Sequence, residues 1–223
     1  MRFLQVIAAI LLFAAPVHAF SDNLHSGDML FVQNSHNLVE CYTKSSFSHV
    51  AVVVKYGDKT WVYEAEPPVV KRYTIEEWLT AMGDYNTSHP QSPALVTVVT
   101  PNRPYSAAEV SKMKEFLETQ VGRRYSVRGY LRNVQTNGTH CSEMCAAAIE
   151  ATGRRDFSAP NRTISPGDLH GLLRVCHHQL GKQYHVVLRD SEKKSWCERS
   201  AAWWARRPSW CAWSCWETLR FYP

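Results

Sequence analysis

This 223-residue sequence lacks long apolar runs, glycine-rich nucleotide loops and clustered metal ligands. Beyond the first 20 residues no segment reaches the roughly 20 apolar residues that a membrane-spanning helix needs. Neither GxGxxG nor GxxxxGK[ST] occurs, so nucleotide binding has no motif behind it. HExxH and CxxC are absent, and the ten histidines never form a three-ligand spacing, so no metal is expected. Without GxSxG, a serine α/β-hydrolase has no support either. Charge of one sign is also missing from the body: residues 21–190 carry 18 Lys and Arg against 17 Asp and Glu. A chain so balanced offers no basic face for nucleic acid, and no nucleic-acid partner is expected. What it does have, 45% apolar and 12% aromatic residues, excludes a disordered or collagen-like chain.

The two ends differ from the body. Arg2, an apolar stretch from Val6 to Ala15, Pro16 and then Val17-His18-Ala19 follow the order of an export signal. Residues 1–19 are read as a signal peptide cut after Ala19, which places the mature protein in the periplasm or outside the cell. Residues 20–190 form one domain. Residues 191–223 make a tail holding six of the eight tryptophans with no clean period; it reads as a poorly ordered end outside the core, with contact with a membrane surface as the alternative. The seven cysteines are an odd number in an oxidising compartment, so at least one is unpaired within the chain.

The body reads as α+β, an antiparallel sheet with segregated helices. Strands are expected at 28–33, 49–55, 61–65, 69–72, 95–100 and 184–188. The 49–55 run, His-Val-Ala-Val-Val-Val-Lys, is continuously apolar at its centre, as a strand covered on both faces should be. Thr74 and Glu77 form a capping box opening a helix to about 82, and residues 84–93 read as a surface loop. Ser106 and Glu109 open a second helix to 121. Residues 34–47 read as either a short helix or a loop. A third helix runs from Cys141 to Thr152, and a fourth, short one opens at Pro166.

Cys141 is the sharpest candidate for chemistry. At a helix start, unsatisfied amides and positive potential favour thiolate over thiol. On chemistry alone, an inert or disulfide-bonded cysteine reads equally well. His49, at the mouth of the apolar strand, is the natural base. Glu64 on the next strand is placed to orient the imidazole, as a third group must. Glu66 competes, because strand alternation puts both on one face. Cys145 reads as a buried position one turn on. His140 is set aside, since neighbours at a helix start point in different directions.

Taken in order, Ser26-Gly-Asp-Met-Leu-Phe31, Phe47-Ser-His-Val-Ala-Val52, Val62-Tyr-Glu-Ala65, Gly122-x-x-Tyr125 and Asn137-Gly-Thr-His-Cys-Ser-Glu143 resemble one family. It is the circularly permuted papain-like hydrolases of the NlpC superfamily, in the YiiX/YebB-like branch, and the resemblance spans about Gly27 to Asp168. It implies a permuted papain-like α+β fold in which the cysteine follows the histidine in the chain. It also implies Cys141 as nucleophile, His49 as base, Glu64 as orienting residue and Tyr125 as a residue lining the site, with no cofactor. The implied activity is hydrolysis of an amide through an acyl-enzyme, with cell-wall peptides as a sensible substrate for an exported protein. Action on acyl lipids, or a non-catalytic binding module on the same fold, stands as the alternative.

Overall fold

The computed structural model describes residues 17–35, 37–176 and 182–187. Residues 1–16 of the expected 1–19 signal peptide and the tail from 191 lie outside the described residues, as do Cys197, Cys211 and Cys215. Among the described residues, β1 (Met29–Gln33), β2 (Phe47–Tyr56), β3 (Lys59–Ala65), β4 (Val70–Thr74), β5 (Leu95–Val99) and β6 (Lys182–His185) form a six-stranded sheet ordered β4-β3-β2-β1-β5-β6. All neighbouring pairs are antiparallel. The helices are α1 (Val17–Asp22), α2 (Asn37–Thr43), α3 (Ile75–Ser88), α4 (Ala107–Gln120), α5 (Arg128–Arg132), α6 (Cys141–Ala151) and α7 (Pro166–Cys176). This is an α+β arrangement, an antiparallel sheet against helices.

Helices cover both faces, which explains the unbroken apolar run of β2. Val50, Val52 and Val54 pack with Met113 and Leu117 of α4, Met144 and Ile149 of α6, and Leu169 and Leu173 of α7. Ala51 and Val53 turn the other way, toward Phe20 of α1 and Ile75, Trp78 and Leu79 of α3. Each residue from Val50 to Val54 is therefore dehydrated whichever way it points, and alternation disappears from the sequence.

Both capping boxes form as the Thr74–Glu77 and Ser106–Glu109 spacings predict. The helix expected to stop near 82 instead runs to Ser88. Its last turn is held to the sheet side: the Asn86 amide donates to the carbonyls of Ala94 and Val186, and its Oδ1 accepts from the Ala94 N–H at 2.7 Å. The polar residues that suggested a loop at 84–93 include tertiary anchors of this turn. The segment 34–47 contains α2, and β6 begins two residues before the expected position.

Candidate active site

β1 and β2 pair in a register that slips by one residue: Val32 faces His49, whereas Gln33 faces Phe47. Ser48 is thus an extra residue in β2, a β-bulge that bends the strand and re-aims the side chains beside it. Its hydroxyl bonds the Val32 carbonyl at 3.2 Å, receives the Ser35 N–H at 3.2 Å and lies 2.7 Å from the Ser35 hydroxyl. The bulge is thereby pinned, and His49 follows it directly.

Across the β2–β3 ladder Ala51 pairs with Glu64, which makes His49 and Glu64 diagonal neighbours on one face. Their side chains meet, with His49 Nε2 2.9 Å from Glu64 Oε2. A carboxylate only accepts, so the hydrogen is on Nε2 and Nδ1 is left for other work. The same Glu64 oxygen accepts the indole N–H of Trp78 at 3.0 Å, from α3. Glu66, which alternation could not separate from Glu64, lies past the end of β3. It binds Lys71 Nζ at 2.5 Å and the Tyr73 hydroxyl at 2.9 Å. The Glu64 side chain is 8% exposed and that of Glu66 36%, so only the first is dry enough to hold an imidazole firmly.

Cys141 is the first residue of α6 and is 4% exposed. Burial, the largest effect on its thiol, resists ionisation. Hydrogen bonding and charge from His140 and His49 outweigh it and bring the pKa down to about 5. For His49, burial likewise opposes the charge, yet interactions with Cys141 and then Glu64 raise it well above 6.5. The arrangement favours a thiolate beside an imidazolium. One turn later Cys145 is fully buried, and burial pushes its thiol up.

Tyr125 lies on a segment stitched to the approach to α6. It bridges Thr139, its N–H bonds the Pro68 carbonyl at 2.9 Å, and its ring packs, half-buried, on the core that includes Cys141. Gly138 permits this closeness, since a Cβ there would lie 2.5 Å from the Ser126 Cβ. The Arg123 guanidinium fastens the other side, donating to the Asn137 and Gly138 carbonyls.

Two neighbours were not legible as site residues. Trp78 reads in sequence as an apolar helix position. His140, set aside above, is the N-cap of α6: its Nδ1 lies 3.4 Å from the Glu143 N–H, and its Nε2 3.0 Å from the Arg162 carbonyl. As the N-cap residue, His140 is extended, at φ −115° and ψ 171°, so its side chain folds back over the first turn. The signal that could have found it is its position immediately before a helix whose first residue is a cysteine. Among the described residues, no three His, Cys, Asp or Glu side chains gather into a metal-binding group, and no helix is long and apolar enough to cross a membrane.

Comparison with known proteins adds three findings. A family described as "Permuted papain-like amidase enzyme, YaeF/YiiX, C92 family" matches residues 23–160, more than half of the chain. No curated protein sequence matches. Among solved structures, the crystal structure of metalloprotein YiiX from Escherichia coli O157:H7 aligns with TM-score 0.46 and 19% identity, covering 73% of this chain and 88% of that one.

Proposed function

We propose that this chain, which belongs to the YaeF/YiiX family of permuted papain-like amidases, hydrolyses an amide bond with Cys141 as nucleophile, His49 as base and Glu64 as the group that orients it. The observation that carries this reading is the His49 imidazole, held 2.9 Å from a buried carboxylate and hydrogen-bonded to the Cys141 thiol at a helix start. The thiolate attacks the carbonyl carbon, and the negative oxygen is met by amides of the first turn of α6, which have no carbonyl partner within the helix. The C–N bond breaks as His49 gives its proton to the departing amine, leaving a thioester on Cys141. His49, neutral again, takes a proton from water, and the resulting hydroxide releases the acid and restores the thiolate. Glu64 keeps the ring in the Nε2–H form and stabilises its charge, and Tyr125 lines the approach.

The signal-like amino terminus directs the activity to the periplasm or the exterior, where cell-wall peptides supply the amide. The test is to incubate purified protein, Cys141→Ser and His49→Ala with muropeptides and, separately, with acyl lipids. Expected is amide cleavage that falls by about 10³-fold or more in either variant. Wild-type activity in Cys141→Ser would refute the nucleophile, and release of fatty acid without amide cleavage would replace the amide with a lipid ester as the substrate bond.

A further inference from the structure

His140 sits beside Cys141, and the groups around it ask for a proton on each ring nitrogen. Nε2 lies 3.0 Å from the Arg162 carbonyl oxygen, which can only accept, so Nε2 carries hydrogen. Nδ1 lies 3.2 Å from Ser142 Oγ. A serine has one hydroxyl proton, and that of Ser142 goes to the Ile164 carbonyl at the shorter distance of 2.7 Å. Toward His140 the hydroxyl therefore presents lone pairs, and Nδ1 meets them by donating. The Glu143 N–H at 3.4 Å wants a bare Nδ1 and is the longest of these three contacts.

The charges nearby point the same way. The Glu143 carboxylate is 3.9 Å from Nε2. From α5, Tyr130 presents a ring in edge contact at 5.8 Å, and Tyr130 in turn feels Asp168 of α7. The Arg162 guanidinium is turned aside to Asn133 at 3.2 Å, so only its carbonyl faces the ring. His49 also acts on the thiol, as the other cation of the group. A cation at a helix N-terminus is ordinarily unfavourable, but a thiolate on the first residue of the same helix reverses that. Burial opposes the His140 charge, and Cys141 first, then the Arg162 carbonyl and Glu143, raise its pKa nonetheless.

We infer that His140 is a second imidazole of this site, a positioning residue that ties the first turn of α6 to the Arg162 carbonyl and stabilises the Cys141 thiolate as an imidazolium. The inference rests on Cys141 being the nucleophile proposed above. Its test separates capping from charge. Asn and Ser both cap helices well and cannot be charged. Wild type, His140→Asn and His140→Ser are labelled with iodoacetamide across pH 4–10, the label is located by mass spectrometry, and the thermal midpoints are recorded.

Expected are folded variants whose midpoints fall only by the loss of the buried ring and its bond to the Arg162 carbonyl, with the labelling inflection at Cys141 moved up by about 1–2 pH units. A wild-type inflection in the variants would make His140 a cap only and overturn the inference. Should neither variant fold, the ring ¹⁵N spectrum of the wild-type protein decides at a pH where Cys141 labels fast. Two protonated nitrogens on His140 support the inference, and a bare Nδ1 overturns it. Labelling needs no substrate, so the two readings fail separately. An inactive Cys141→Ser with an unmoved His140 curve sinks this inference alone, whereas an active Cys141→Ser sinks the proposed function.

Discussion

A single oxygen, Glu64 Oε2, accepts from both the His49 imidazole and the Trp78 indole. Burial would push this carboxyl up, but the His49 hydrogen bond and charge, then Trp78 and Lys71, hold it below its ordinary value. Its stabilising contribution is thus complete above about pH 4.5 and is lost as pH falls through the lowered folded pKa. His49 has the opposite sign: its contribution is complete below about pH 6.5 and is lost as pH rises through its raised folded pKa. Trp78→Phe keeps an aromatic ring at this buried position, though a smaller one, and removes the second donor. We expect hydrolysis to fall about tenfold, the equivalent of one hydrogen bond to a charged group, with far-ultraviolet circular dichroism unchanged. An unaltered rate would show that His49 alone fixes the carboxylate. At this scale Cys141 and His49 were legible as candidates because each sits at the mouth of a strongly patterned element. Trp78 and His140 were not, since their roles depend on a neighbour 14 residues away and on an extended N-cap backbone.

At the scale of elements, local chemistry was the most legible. The Ser-x-x-Glu spacing at 106–109 forms a reciprocal capping box, and the hydrogen bond from Arg154, followed by the Ser106 amide, draws Glu109 down to about 2. Arg154 also donates to the carbonyls of Arg103 and Pro104 and lies 3.6 Å from the Tyr105 ring centroid, so α4 and the turn after α6 are clamped together. Ser106→Ala should cost about 1 kcal/mol by urea unfolding; no change would mean that the arginine clamp suffices. The end of α3 was misread because Asn86 looks like a loop residue until its partners Ala94 and Val186 are known. The Ser48 bulge was likewise invisible, since register belongs to a pair of strands and not to one.

For the whole molecule, the sheet buried on both sides and the near-neutral body were evident from β2 and the charge count. That helices lie on both faces was not, because an antiparallel sheet is commonly open on one side. One consequence reaches beyond the site. Asp28, fully buried where β1 begins, is raised to about 6 by burial, against the His25 amide and the Thr100 hydroxyl. The native state therefore binds this proton more tightly than the unfolded chain does, and stability falls as pH rises through about 6. Asp28→Asn keeps an oxygen for the His25 N–H, bonded at 2.8 Å, without the charge. Its thermal midpoint should exceed that of wild type at pH 8 and converge on it at pH 4.5. Equal midpoints at both values would exclude a buried charge at this position.

The central claim is that Cys141 rests as a thiolate stabilised by His49, and the rate of iodoacetamide labelling at Cys141 against pH tests it most directly. The wild-type curve should rise with an inflection near 5, and His49→Ala should move that inflection upward. A wild-type inflection near the ordinary thiol value of about 8.5, unchanged by loss of His49, would contradict the account.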